Sequence, residues 1–539
     1  MADVGPALER IRSFVGRHRA LLDTPGLALA VTDRERVLGV VTDGLANVDA
    51  GAPVEPSHRF QIGSISKGFT AIALLQEWEA GRLDLQAPVT EYLPWFEVRT
   101  EYDPITVHHL LSHTSGITCG TDATGEAAAE VWSLRETHTG FAPGERFLYS
   151  NLGYKALGLV LERVTGRPWW EVVHERVMAP IGMGDADVII TSGARARLAV
   201  GHTSPFDDRP WLPRHGWAPS PWFESATADG TICATAEELA CYARLLLNEG
   251  RDVLTERGFA RMTEPVIEDP SSPGHRFAYG VKWIEEPGSR LLGHSGGMIG
   301  FTAYALADVL AGYGVTVLMN SPFGVRLELA RFALRCLAAG ALAEPLPDVP
   351  EPRDRASVED AAGSEGVFRD EGGTVEVVAE GDRLFLEEEG TRAALVPFSE
   401  DRFAVDDPAL ERYPFDLVHE GGVVTQAVWG PRWLRHGRYV GPTSFDPPPA
   451  WSAFVGRYRS WNPWAPGFEV FLRGGRLWLG FVGDTLDWGG DVPLTELEDG
   501  TFRVGDEWFP DRVRFDTVID GRATRAIVDA APYYRAAAP

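Results

Sequence analysis

An α/β (α+β) domain whose antiparallel sheet is assembled from both of its ends and carries an inserted helical lobe, followed by two small antiparallel β-barrel domains, is the architecture predicted by the sequence. Three observations carry that expectation. Strand patterns flank a long helix-rich stretch within about the first 340 residues, proline-rich segments break the apolar periodicity near residues 343 and 446, and the regions beyond these breaks resemble each other. At 539 residues the chain is longer than one hydrophobic core usually supports, so several domains are expected.

Residues 6–22 read as an amphipathic helix, followed by strands at 26–31 and 36–42 with polar turns between them. Helical patterns then dominate to about residue 265. Strands return at 277–284, 300–307 and 313–319, and a helix at 324–339 closes the unit. The stretch AEPLPDVPEPRDRASVEDAAG lacks apolar periodicity and reads as a linker, as does GPTSFDPPPAW. The expected domains are therefore residues 1–342, a linker at 343–361, a first barrel at 362–441, a linker at 442–450 and a second barrel at 451–539. The repeat lies in three matched pairs: TVEVVAEGDRLFL with GFEVFLRGGRLWL, SEDRFAV with EDGTFRV, and FDLVHEGGVVTQAV with FDTVIDGRATRAIV. Short alternating strands joined by Gly/Asp turns suit small barrels of roughly 90 residues. They are read either as structural or dimerising modules or as parts that shape the active site.

Composition narrows the partners. The net charge of −27 would repel phosphate backbones and anionic bilayers, so neither nucleic acid nor membrane is expected, and no apolar run reaches the length of a membrane span. Four cysteines without paired metal or redox spacing, and a first helix without an apolar signal-peptide core, point to a cytoplasmic protein free of disulfides. Only three of the 50 basic residues are lysines, Lys67, Lys155 and Lys282. Arginine cannot give up its proton and lysine can, which makes each surviving lysine a candidate base.

In FQIGSISKGFTAIALLQEWEAG, Ser64 and Lys67 stand three residues apart at a helix start, on one face, with Phe69, Ile72, Leu75 and Trp78 directed at a core. A serine hydroxyl becomes nucleophilic when a nearby base takes its proton, and a desolvated lysine can do so. The helix start also offers backbone N–H groups to an oxyanion. GERFLYSNLGY places Tyr149 two residues from Asn151, and in RLLGHSGGMIGFTAYAL His294, Ser295 and Gly296 open a strand whose glycines allow close backbone approach. Gly293–Gly297 also matches G-x-S-x-G, but the alternating strand and helix units of an α/β-hydrolase are missing and only His419 and His436 follow it. His109 and His113 are four apart without the glutamate of H-E-x-x-H, so no metal is expected, and there is no glycine-rich phosphate loop.

S-x-x-K, Y-S-N and H-S-G in this order, with ITVHHLLSHTSGI and ADGTICATAEELA, resemble the serine β-lactamase and penicillin-binding-protein superfamily over about residues 6–340, most closely its class C branch with esterases and D-stereospecific peptidases. The resemblance implies a β-lactamase/transpeptidase-like fold without cofactors. It makes Ser64 the nucleophile, Lys67 and Tyr149 the proton carriers, and Asn151 the group that holds Lys67 or a substrate carbonyl. Gly296 and Gly297 would line the substrate site, the N–H groups of Ser64 and Gly297 forming the oxyanion hole. His294 replaces the usual lysine, a departure that argues against β-lactam hydrolysis and carboxylate recognition. Histidine there, with two trailing barrels, is similar to D-stereospecific aminopeptidases, in which a loop of the last barrel helps recognise the substrate's amine. The matching stretch, FVGDTLDWGGD, offers Asp484, Asp487 and Asp491. The expected function is a serine hydrolase that forms an acyl-enzyme on small peptides or amides with D-configured N-terminal residues. A carboxylesterase, an acyltransferase or thioesterase of the same fold, and a non-catalytic peptide-binding scaffold are the alternatives. The expected partner is a small molecule or short peptide, with a second copy of the chain left open.

Overall fold

The computed structural model describes residues 4–22, 24–120, 124–322, 326–352, 354–399, 401–481 and 490–537. The chain divides into two compact units, Met1–Thr203 with Pro219–Pro352, and Ser204–Ala218 with Arg353–Pro539.

The first unit is built on a nine-stranded antiparallel sheet. Its strands are β1 (Gly26–Thr32), β2 (Val37–Asn47), β3 (Ala52–Pro53), β4 (Ile267–Glu268), β5 (His275–Phe277), β6 (Lys282–Glu286), β7 (Ser289–Met298), β8 (Phe301–Asp308) and β9 (Tyr313–Met319), in the spatial order β3-β2-β1-β9-β8-β7-β6-β5-β4. The helices that frame the site are α1 (Gly5–Leu22), α2 (Ser66–Glu79), α3 (Asn151–Thr165), α4 (Ala236–Leu247) and α5 (Arg326–Ala341). Pairing of β1 with β9, Leu29 opposite Val317, joins the two ends of the unit as expected. Leu27, Leu29 and Val31 enter one core with Ile11 and Phe14 of α1 and Phe332 and Leu337 of α5, where Phe14 stacks on Phe332 at 4.2 Å. Ala28 and Ala30 face the other way, and α4 packs against β1, β8 and β9. Apolar cover on both faces explains why β1 reads as an unbroken hydrophobic run.

Caps set the helices of the inserted lobe. Thr235 and Glu238 form a capping box at the start of α4. The Ser150 hydroxyl accepts from the Gly153 N–H at the start of α3, which ends on Gly166 with φ +69°. The central helix α2 is buried on nearly every side from Ser66 to Leu75, so it is less one-sided than its spacing suggests. Trp78, expected in the core, is half-buried and lies under the Arg257 guanidinium at 4.1 Å.

The second unit contains two closed eight-stranded barrels, each with its strands in chain order. The first runs from Gly366–Asp370 to Arg432–His436 and closes by pairing Phe368 with His436. The second runs from Gly456–Arg459 to Ala531–Arg535 and closes by pairing Tyr458 with Arg535. The sequence repeat is a repeat of register. Ala379 pairs with Leu384 in the first barrel, and Leu472 pairs with Leu477 at the matched positions of the second. Segment Ser204–Ala218, where the sequence shows no boundary, is tied to both barrels. Asp207 pairs with Arg457 at 3.0 Å, and Arg209 and His215 each reach Glu411 at 2.8 Å, joined there by Arg214.

Burial alone would raise the Glu411 carboxyl, but hydrogen bonds from Arg209, His215 and Arg214 outweigh it and hold the group below its ordinary value. With the folded value below the unfolded one, this stabilisation is complete above the ordinary glutamate range and is lost as the pH falls from there through the lower folded value. Glu411→Gln should expose Arg209 and Arg214 to trypsin at neutral pH, at a cost of about 1–3 kcal/mol. That is less than for a fully buried pair, because both guanidinium groups keep part of their surface in water. An unchanged digestion pattern would contradict this role.

The first unit supplies a second test. A Cβ on Gly296 would fall 1.8 Å from the Ile62 carbonyl oxygen, whereas one on Gly297 meets nothing within 4 Å. Gly296→Ala should lower stability by at least about 1–3 kcal/mol in denaturant titrations, and Gly297→Ala should leave it nearly unchanged. Equal effects would mean that the strand and the turn against it are not in rigid contact.

Candidate active site

Ser64 lies in a 3₁₀ turn, Gly63–Ile65, that runs directly into α2. The turn rests on β7: a Cβ on Gly63, where φ is +55°, would sit 2.6 Å from the backbone N and O of Gly297. Only glycine permits that approach. Ser64 is partly exposed while its neighbours Gly63 and Ile65 are buried, so the hydroxyl can meet a substrate.

Lys67, one turn on, is fully buried. Its Nζ lies 3.0 Å from Ser64 Oγ, 2.8 Å from Asn151 Oδ1 and 2.8 Å from the Asp229 carbonyl oxygen. Two protonation states fit these contacts. An ammonium donates to all three oxygens, whereas a neutral amine donates to Asn151 and Asp229 and accepts from the Ser64 hydroxyl. The other two lysines face carboxylates, Lys155 against Glu130 at 3.3 Å and Lys282 against Asp269 at 3.2 Å.

Asn151 thus holds Lys67 through its oxygen, while its Nδ2 points at Cys119 Sγ, 3.8 Å away. The backbone N–H groups of Asn151 and Leu152 both donate to the Cys119 carbonyl. Tyr149 lies beneath Lys67, with Nζ 5.0 Å from the ring centre. Burial holds the phenol well above its ordinary value, the neighbouring Ser64 pulling the other way, so the hydroxyl keeps its proton at neutral pH.

His294 lies well inside β7, which begins at Ser289, rather than at a strand start. Its Nδ1 hydrogen-bonds the Ser295 carbonyl and is therefore the protonated nitrogen. Burial, reinforced by the Lys282 ammonium, pushes the imidazole pKa down to about 3, so the ring is neutral at pH 7. Tyr149 and His294, with ring centres 6.3 Å apart, each present a buried polar atom, Oη and Nε2, without a hydrogen-bond partner among the described residues.

The two glycines of this strand divide the work. Gly296 receives the Ser64 turn, and Gly297 is exposed. Ser295 sits within the same antiparallel strand, so G-x-S-x-G here is not a strand-to-helix elbow. His109 closes the capping box of the short helix Val107–Leu111 with Thr106.

Asp484 and Asp487 lie outside the described residues. Asp491 belongs to the second unit, where it is bonded to Arg473 at 2.5 Å and lies 3.7 Å from Arg402. Sequence reading missed Cys119, the Asp229 carbonyl and the influence of Lys282 on His294. Only Lys282 carried a signal, its rarity as a lysine. None of the four cysteines is joined in a disulfide, and among the described residues no helix is long and apolar enough to cross a membrane.

The Beta-lactamase family profile matches residues 12–339. Penicillin-binding protein 4 of Amycolatopsis lactamdurans is 28% identical over 365 residues, covering 65% of this chain and 94% of that protein. Protein flp of Staphylococcus aureus (strain MW2) is 25% identical over 316 residues, 55% of this chain, and the match spans only 59% of flp. The solved D-amino acid amidase from Ochrobactrum anthropi SV3 superposes with a TM-score of 0.51 at 22% identity, covering 62% of this chain and 97% of that one. A profile match across most of the first unit makes the chain a member of the Beta-lactamase family, within the serine β-lactamase and penicillin-binding-protein superfamily.

Proposed function

We propose that the protein is a serine hydrolase that forms an acyl-enzyme on Ser64 and acts on small peptides or amides with a D-configured N-terminal residue. The observation that carries the hydrolase reading is the contact of the buried Lys67 amine with the partly exposed Ser64 hydroxyl at 3.0 Å. In this reading neutral Lys67 takes the Ser64 proton as Oγ attacks the carbonyl, and the N–H groups of Ser64 and Gly297 receive the oxyanion. Tyr149, which keeps its proton at rest, suits a relay in which it gives that proton to the leaving amine and takes in its place the one that Lys67 removed from Ser64, leaving Lys67 neutral and the phenol restored. Water then releases the acyl group.

The choice of substrate rests on His294. A neutral imidazole supplies no cation for a substrate carboxylate, and the nearby Lys282 ammonium is paired with Asp269. This favours substrates recognised at their amino end over C-terminal carboxylates, and the likeness in fold to a D-amino acid amidase points the same way. A panel of D- and L-aminoacyl p-nitroanilides, p-nitrophenyl esters and nitrocefin separates amidase, esterase and β-lactamase activities. Highest kcat/KM on D-aminoacyl anilides is expected, and a preference for esters or nitrocefin would overturn the assignment.

Ser64→Ala should abolish fluorophosphonate labelling, and Ser295→Ala should leave it intact. An adduct mapped to Ser295 would contradict the mechanism. Lys67→Arg keeps the charge but cannot act as a base, so kcat/KM should fall by at least about 10²-fold in a folded variant. Activity within a few-fold of wild type would reduce Lys67 to an electrostatic or structural role.

A further inference from the structure

His113 lies within the motif ITVHHLLSHTSGI, and the mechanism above leaves it without a task. Its surroundings give it one. The His113 carbonyl accepts from the Leu148 N–H at 2.9 Å, and its Nδ1 accepts from the Ser150 N–H at 3.0 Å. Between these two bonds the imidazole lies on the ring of Tyr149, centre to centre 4.2 Å with 25° between the planes. One residue thus holds the backbone at Leu148 and at Ser150, on either side of Tyr149, and the face of its ring. Phe277 meets His113 edge-on at 5.4 Å, so the imidazole is itself held in place.

The grip carries costs. His113 adopts φ +57°, a left-handed conformation that side chains other than glycine's rarely take. It is buried to 1% exposure, and Nε2, the protonated nitrogen when Nδ1 accepts, has no hydrogen-bond partner among the described residues. Burial, reinforced by the Lys282 ammonium, keeps the imidazole neutral, the state in which Nδ1 can accept. Strain and an unpaired donor at one buried residue persist where the surroundings over-determine them, which directs attention to Tyr149.

We propose that His113 is a positioning residue of the acylation step: it fixes the Tyr149 ring and its flanking peptides so that the phenol stays beside Ser64. The proposal rests on the serine hydrolase reading. It differs from a packing role in one respect, that His113 acts through the Tyr149 hydroxyl and no other group.

A double-mutant cycle reads this directly. The measured quantity is the second-order rate of Ser64 phosphonylation by a fluorophosphonate, followed by intact-protein mass in His113→Asn, Tyr149→Phe and the double variant. Asparagine tolerates the left-handed backbone but lacks the ring. His113→Asn should slow labelling at least about tenfold, the scale of a small misplacement of a reacting group. In the Tyr149→Phe background the same change should cost less than about twofold. Multiplicative effects of the two changes, or a Tyr149→Phe variant that labels like wild type, would overturn the proposal. Should His113→Asn melt below the assay temperature, the cycle is run with His113→Phe, which keeps a ring on Tyr149 and removes the acceptor for Ser150, with the same expected coupling. Absence of Ser64 labelling in the wild type would overturn the hydrolase reading and this proposal together, whereas additive free energies on a labelled enzyme overturn this proposal alone.

Discussion

A lysine amine buried to complete exclusion from solvent must find polar partners, and Ser64, Asn151 and Asp229 each supply Lys67 with an oxygen. Each comes from a different part of the chain: Ser64 from the turn before α2, Asn151 from the first turn of α3, and the Asp229 carbonyl from the stretch before α4. Thr70, one turn after Lys67, donates to the neighbouring Ala228 carbonyl at 2.8 Å and ties that stretch to α2. The inserted lobe therefore closes on one buried amine. Of these partners the Ser64 hydroxyl is the one that can change from acceptor to donor when the amine loses its proton.

Backbone contact between the Ser64 turn and β7 supplies the second constraint. Gly63 and Gly296 interlock where any side chain would collide, so Ser64 is held against the strand that carries His294 and Gly297. The sheet behind this contact is rigid for an ordinary reason. Its central strands are covered on one face by α1 and α5 and on the other by α4, and the pairing of β1 with β9 brings both ends of the unit together. Ser64 and the backbone of Gly297 are thus placed by the contact of the turn with the strand.

Strands β1, β2, β8 and β9, the closing helix and both barrels could be read from alternation, turns and the internal repeat, because those features are local, whereas the short edge strands β3 and β4 were not read and the expected strand 277–284 divides into β5 and β6. The motif residues were readable for the same reason: serine and lysine one turn apart share a face wherever the helix goes. What the sequence concealed is non-local. A backbone carbonyl such as that of Asp229 has no signature, and the contact of Cys119 with Asn151 spans 32 positions. The excursion of Ser204–Ala218 into the second unit is held by ion pairs between residues ordinary in a chain rich in arginine and acid. Burial of α2 on nearly every side was concealed by its length, since an amphipathic pattern and a fully enclosed one differ little over 14 residues.

The central claim is that one buried lysine presents Ser64 to a carbonyl whose oxygen falls between the Ser64 and Gly297 amides. A crystal structure of the fluorophosphonate adduct tests it most directly. Phosphorus bonded to Ser64 Oγ is expected, with the phosphoryl oxygen about 2.7–3.2 Å from both amide nitrogens and Lys67 still bonded to Asn151 and the Asp229 carbonyl. An adduct on another residue, or a phosphoryl oxygen turned away from Gly297 with Lys67 displaced from Asn151, would contradict it.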